Sequence, residues 1–308
     1  MSTAAKKGDE VTWESLIGPR TFLGRFLHPL FEQRRTLAGR LSWLGLLLLL
    51  SFIVIAVFAP LLAPYNPTRI VPTQINQPPS SAHWMGTDDL GRDVFSRVLW
   101  GARTSLEIMV IGVVLALFVG FPVGLYSGYH GGYLDRVLVL VMDSVYAFPG
   151  LLLAALVALF LGKGVVNIGI AITVIYIPLY YRVTRNHVIS VKEETYVEAA
   201  KVLGAKPRTV MWSYIASNVL VSIPVIFSLN AADAILTAAG LSFLGFGLER
   251  PTPDWGLDLS DAQRFLSSGV WWTSVFPGLM IILLTVGLSF LGEGLNDLVN
   301  PLLKKERQ

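Results

Sequence analysis

The sequence predicts an all-α integral membrane protein with six transmembrane helices and both termini cytoplasmic. Three observations carry that expectation. First, 53% of the 308 residues are hydrophobic and only 15% are charged, where soluble domains carry about 25% charged residues. Second, six apolar runs approach the roughly 20 residues that a helix needs to cross a bilayer core of about 30 Å. Third, the basic residues divide unevenly between the two sets of loops. With the N-terminus inside, 17 Lys and Arg fall inside and 6 or 7 outside, the bias that orients membrane helices. The absence of cysteine excludes disulfides and thiolate metal sites and leaves the compartment open.

The runs follow in order. Residues 1–42 mix Trp13, Leu16, Phe22, Phe26 and Leu30 with Arg20, Arg25, Arg34 and Arg35, which suits a basic amphipathic segment on the inner membrane face. A cleaved signal peptide does not fit, because the apolar run is too long and begins too far from Met1. The first span is expected over Trp43–Leu62 and the second over Ser105–Tyr126, joined by an extended outer loop that reaches Arg103. The third is expected over Val137–Leu161 with Pro149 inside it, a residue that bends helices. The fourth covers Val165–Tyr181, the fifth Asn218–Ala239 and the sixth Trp272–Leu291. Gly120, Gly124, Gly128, Gly131 and Gly132 punctuate the inner end of the second span, and small residues there permit close helix packing. The stretch Pro251–Ser260, PTPDWGLDLS, is too polar to span. It is expected against the outer face, with Trp255 at headgroup depth.

One polar stretch interrupts this pattern on the inner side: EETYVEAAKVLGAKPRTVMW, Glu193–Trp212. Ser190 and Glu193 have capping-box spacing, which predicts a helix start. Tyr196, Ala200 and Leu203 would form its apolar stripe. Gly204 suits the left-handed residue that ends a helix, and Pro207 suits the first turn of the next. The grammar is helix, tight turn, helix. Small residues at Ala199, Ala200 and Gly204 would let another protein approach closely. On pattern alone, an ordinary cytoplasmic loop with a short interfacial helix is the favoured reading, because capped helices are common.

Here the chain resembles ABC importer permeases. EAAKVLG, Glu198–Gly204, is similar to their Glu-Ala-Ala-x-x-x-Gly signature. Ile215 and Asn218 also fit the pattern, whereas the usual intervening proline is absent, which predicts a straighter start to the fifth span. MGTDDLGRDVFSRVLWGARTSL (Met85–Leu106), the Gly128–Ala154 stretch with its GGYLD and AFPG, GLSFLGFGLERPTPDWG (Gly240–Gly256) and GEGLNDLVNPLL (Gly292–Leu303) resemble the dipeptide, oligopeptide and nickel subgroup. The resemblance implies a type I ABC importer permease fold. It implies a first helix at 43–63, an extracytoplasmic loop at 64–103, a permease domain of five helices at 104–295 and a cytoplasmic tail at 296–308. It implies a prokaryotic plasma (inner) membrane as the location.

It also implies partners: a second homologous permease subunit, two cytoplasmic ATP-binding subunits and an extracytoplasmic substrate-binding protein, all in membrane lipid. Glu198, Ala199, Ala200 and Gly204 would couple to the ATPases. The solute would be a di- or oligopeptide, with a nickel chelate or other small solute as the alternative. A proton-coupled secondary transporter using Asp143 and Asp233 is the alternative of a different class.

No phosphate-binding glycine loop occurs, so ATP and magnesium are expected only on the partners, with no cofactor and no catalytic residue in this chain. Asp88, Asp89, Arg92 and Asp93 crowd the outer loop with His83. Their spacing matches no metal loop, so no metal site is expected. Ion pairs and caps, or a contact with the binding protein, are the readings for these four. Asn230 and Asp233 lie within the fifth span, and polar groups at that depth face the bundle interior or a water-filled path. The resemblance implies that the fifth span helps line the translocation path, which makes them candidates for lining it, with a bond from Asp233 to neighbouring backbone as the bland alternative. Asp143 is expected to pair with an arginine or a helix N-terminus near the inner interface. The four scattered histidines support no hydrolase, and basic residues that follow membrane topology do not suggest nucleic acid.

Overall fold

Residues 37–299 are described by a computed structural model. The expected amphipathic segment lies outside the described residues up to residue 36, as does the tail from residue 300 onward. Among the described residues the regular elements are helices: α1 (Leu37–Leu62), α2 (Val94–His130), α3 (Gly132–Tyr146), α4 (Gly150–Leu161), α5 (Val165–Val191) and α6 (Thr195–Val202). They continue with α7, a helical rod over Pro207–Phe243, then α8 (Trp255–Ala262) and α9 (Trp272–Val299). Five of these, α1, α2, α5, α7 and α9, are long and apolar enough to cross a membrane, and α3 with α4 makes a sixth if the bent pair counts as one.

The third expected span is therefore not a single helix. α3 and α4 meet at 91°. The break falls where proline requires it. Pro149 has no N–H to continue the ladder, and its ring pushes Phe148 out of helical conformation, so Pro149 becomes the residue before α4 with ψ of 120°.

The other ends moved outward. Asp93 caps α2 by accepting from the Ser96 N–H, so the outer loop stops at residue 93 rather than 103. α5 runs ten residues past Tyr181. α7 is already helical from Pro207 and carries one wider π turn at Val210–Ile215, just before the position where the usual proline is missing.

Close contacts fix the topology. A Cβ on Gly120 would lie 2.8 Å from the Ile177 carbonyl oxygen, one on Gly124 2.6 Å from that of Tyr181 and one on Gly128 2.9 Å from that of Arg185. The partner number rises with the glycine number, so α2 and α5 run parallel. Lipid is as apolar as leucine, so such packing rather than hydrophobic burial holds helices together in a bilayer. Gly131 and Gly132 differ from this seam. Both have positive φ and open space around them, and they form the α2–α3 turn.

Two parallel helices need a return between them. The 15 residues of α3 and 12 of α4 supply it, at ~22 and ~18 Å of helix. Tyr65, just after α1, donates its N–H to Ser96 Oγ at 3.2 Å, so α1 ends where α2 begins. α9 lies antiparallel to α1, with Gly287 and Leu291 against Gly45, and Gly294 against Ser42. Both ends of the described chain therefore sit at the same end of the bundle as α6.

Candidate functional site

Three polar places could carry function: the α6 end, the second half of α7 and the loop end. At the α6 end, α5 still includes Ser190, so the expected capping box does not form. α6 starts at Thr195 after Glu194, with no side-chain cap. Its buried residues are Val197 and Ala200. Val197 joins Phe121, Leu125, Val188, Val210 and Ile215 in a small apolar cluster. The seat is thus Val197–Ala200, not the expected stripe of Tyr196, Ala200 and Leu203. Val202 and Leu203 are both 87% exposed.

Gly204, at φ +84°, ends the helix as its position predicts. Its N–H reaches Lys201 O at 3.0 Å and the Ala205 N–H reaches Ala200 O at 3.0 Å, the paired bonds of a Schellman ending. Pro207 then opens α7. Asn218 donates to Tyr196 Oη at 2.5 Å and ties α6 to α7. Of the four expected coupling residues, Glu198, Ala199 and Gly204 are exposed and Ala200 faces inward.

Along the second half of α7, Leu229, Asp233, Leu236 and Phe243 are exposed on one helix face. The Tyr176 hydroxyl donates to Asp233 Oδ2 at 2.5 Å. Asp233 lines a cavity of about 360 Å³ whose wall includes Tyr146 and Phe148 at the α3–α4 bend, with Leu153, Tyr176 and Leu179. Asn230 parts from Asp233: it is buried at 6%, and its Nδ2 has no hydrogen-bond partner. Asp143 pairs with Arg182 at 2.8 Å, and the Arg182 guanidinium stands 4.3 Å from the centre of the Tyr146 ring. Asp135, part of the GGYLD stretch, accepts from Arg185 at 2.6 and 2.7 Å and from Ser127 at 2.5 Å. That bracing of α3 on α2 and α5 escaped the sequence reading.

At the loop end the charges are turned inward. Asp88, Arg92 and Asp93 are 8%, 1% and 3% exposed, and Asp89 keeps more surface. Arg92 meets Asp88 at 2.6 Å. Asp93 accepts from Ser96 N and Ser96 Oγ and bonds His83 Nδ1 at 2.8 Å. Arg97 spans the chain: it pairs with Asp258 at 2.5 Å and donates to the carbonyls of Pro67 and Pro251 at 3.1 Å. Arg250 pairs with Asp261. So the ion-pair reading of this loop holds, and Arg97 and Asp258 are its unforeseen centre. Sequence offers no signal for a pair 161 residues apart.

Burial pushes the Asp254 carboxyl up to about 6, opposed by its bond from the Leu257 N–H. Burial also raises Asp258, against the pull of Arg97, and raises Asp89 with help from Asp88. Trp255 is not an interfacial anchor as expected. It is 1% exposed, donates to Val98 O at 3.0 Å and packs edge-on to Phe52 with ring centres 5.9 Å apart. Gly101 makes room for it, since a Cβ there would lie 2.4 Å from the indole nitrogen.

A bundle with five helices long and apolar enough to cross a membrane, or six if the bent pair counts as one, fits the class of multi-pass helical membrane proteins. Comparison with known proteins narrows that class. Residues 120–305 match the family described as binding-protein-dependent transport system inner membrane component. Residues 34–79 match the N-terminal TM domain of oligopeptide transport permease C. The dipeptide transport system permease protein of Alkalihalophilus pseudofirmus is 41% identical over 266 residues, 86% of this chain and 87% of that one. The glutathione transport system permease protein of Pectobacterium atrosepticum is 38% identical, over 88% of this chain and 90% of its own. The Escherichia coli protein of the same description is 37% identical, over 88% and 89%. The chain belongs to the binding-protein-dependent inner membrane components, the permease subunits of ABC importers, and is a multi-pass protein of a bacterial inner membrane.

Proposed function

We propose that this chain is one half of the translocation path of an ATP-driven importer, that its solute is a di- or oligopeptide and that α6 receives the ATPase. The α6 end carries the reading. A helix seated by Val197 presents Val202 and Leu203 at 87% exposure, uncovered by any of the described residues. Two large aliphatic side chains so exposed on a short, firmly seated helix suit insertion into a partner's groove. The exposed face of α7 with Asp233 suits the wall of a path completed by a second homologous permease.

The reading has six crossings with both termini cytoplasmic, and the parallel α2–α5 seam, the α3–α4 return and the inward bias of basic residues support it. The relatives named for dipeptide and glutathione transport support a peptide-type solute. A binding protein would deliver it from outside, approaching the loop end, where Asp89 is the acidic residue of the expected four that keeps surface. ATP and magnesium would be held by the two ATP-binding subunits. Their closure shifts the permease only through contacts that differ between its two states.

The test is tagged purification in mild detergent with the co-purifying chains identified by mass. The account expects a second permease of similar size and one or two nucleotide-binding subunits. A chain that emerges alone, or only with copies of itself, would overturn it in favour of a proton-driven carrier.

A further inference from the structure

Asp233 is the eleventh residue of the 21-residue helical segment Ile223–Phe243. It therefore lies ten residues, or about 15 Å of helix, before the end of α7 at Phe243, at a depth where an ionisable group is costly and must be compensated. Three other acidic residues of the helices have that compensation, whereas Glu293, exposed near the end of α9, has no ion pair among the described residues. Asp135 has Arg185, Asp143 has Arg182 and Glu107 has Arg103. Asp233 has no basic residue within ion-pair distance among the described residues. Its hydrogen bond is from the neutral Tyr176 hydroxyl at 2.5 Å, which orients the carboxylate and leaves its charge unmatched.

Val145, Phe148, Leu153, Ile175 and Leu179 make the apolar part of the same cavity wall, and Tyr146 adds a polar tip. At about 360 Å³ the space falls in the range of small-ligand sites, roughly 300–1,000 Å³. An oriented carboxylate on an apolar wall holds a compact cation strongly, because charge-assisted bonds gain from the low dielectric.

We propose that Asp233, positioned by Tyr176, is a subsite for the primary ammonium group of the transported peptide as it passes through the bundle. This rests on the peptide-importer reading above. It adds a solute-recognising residue within the permease itself, beyond selection by the binding protein. The apolar wall beside it would take side chains without choosing among them. A passing ammonium then compensates the span's unpaired charge, so the solute lowers the cost of its own path.

The experiment is uptake into proteoliposomes by the complete transporter, for a dipeptide with a free amine and for its N-acetylated analogue, each saturating the binding protein. Wild type, Asp233→Asn, Asp233→Glu and Tyr176→Phe are compared. The expected result is a fall of ~10-fold or more in free-amine uptake for Asp233→Asn, with the analogue's uptake changed less than ~2-fold. Asp233→Glu restores at least part of the free-amine rate, and Tyr176→Phe falls between the two. Equal loss for both solutes overturns the subsite and assigns Asp233 to structure or to a basic residue of the second permease. Unchanged free-amine uptake in Asp233→Asn also overturns it while leaving the importer reading intact. A wild-type complex that imports no peptide removes both.

Discussion

The two ends of the bundle solve opposite problems. At the loop end, Asp88, Arg92, Asp93, Arg97 and Asp258 face one another under cover, with Arg92 and Arg97 both 1% exposed. At the α6 end, the buried cluster is small, and Val202 and Leu203 at the end of α6 lie outside it. One end pairs most of its charges within the chain, although Arg92 Nη1 and Asp89 Oδ1 are left without a hydrogen-bond partner. The other holds a helix in place by a few residues and leaves the rest open. A transport subunit benefits from that asymmetry. The covered end gives a fixed frame for the helices, and under the proposed function the open end is where the ATP-binding partner would push.

Breaking the covered end should have the largest effect on stability. Arg97→Ala strands Asp258 and the Pro67 and Pro251 carbonyls, and loss of one partner of a buried pair costs about 3–5 kcal/mol. The midpoint of unfolding in detergent should drop accordingly, with little complex recovered. A midpoint within experimental error of wild type would mean that the frame lies elsewhere.

A second perturbation reads the same end through pH. Asp254 is ordinarily near 3.8 and is raised to about 6 in the fold. A raised carboxyl contributes stability that is fully present below pH ~4 and is lost as pH rises through about 6. The shift of about 2 units is worth about 3 kcal/mol. Asp254→Asn keeps a residue able to cap α8 and removes that titration. Its midpoint should exceed wild type at pH 8 and converge with it, or fall below, near pH 4. Parallel pH curves for the two proteins would rule out this source.

Next comes the α2–α5 seam. Gly124→Leu puts a side chain 2.6 Å from the Tyr181 carbonyl oxygen, and such overpacking costs about 1–3 kcal/mol. The loss should appear as a lower midpoint and weaker assembly.

The smallest stability change belongs to the open end. Val202→Ser with Leu203→Ser should move the midpoint by no more than about 0.5 kcal/mol per site. Peptide-stimulated ATP hydrolysis by the complex should nevertheless fall at least ~10-fold. Gly204→Phe should act similarly. It has open space but needs φ of +84°, a strain of roughly 1–2 kcal/mol for a residue with a side chain. The variant should insert normally and fail to transport.

What could be read from the chain was local. The long apolar runs gave the spans. Pro149 marked the bend, Gly204 and Pro207 marked the turn, and the Gly120–Gly128 spacing marked a packing seam. The misplaced items were those set by distant partners. Ser190 looked like a cap because nothing local reveals that α5 continues through it. Trp255 looked interfacial because its neighbours are polar, yet Gly101, far back in α2, opens a slot for it. The stripe of α6 was placed on Tyr196 rather than Val197, since a helix of eight residues offers too few turns for its periodicity to fix a face. Asn230 and Asp233 looked alike in sequence. Only the packing of α5 on α7 buries one and leaves the other at the cavity.

The most direct measurement of the docking claim is hydrogen–deuterium exchange of this permease with and without its ATP-binding subunits. The account predicts that amides from Thr195 to Ala205 slow markedly in the complex, while those from Thr87 to Val98 exchange equally slowly in both. Unchanged exchange across Thr195–Ala205 in a complex proven to be assembled would contradict it.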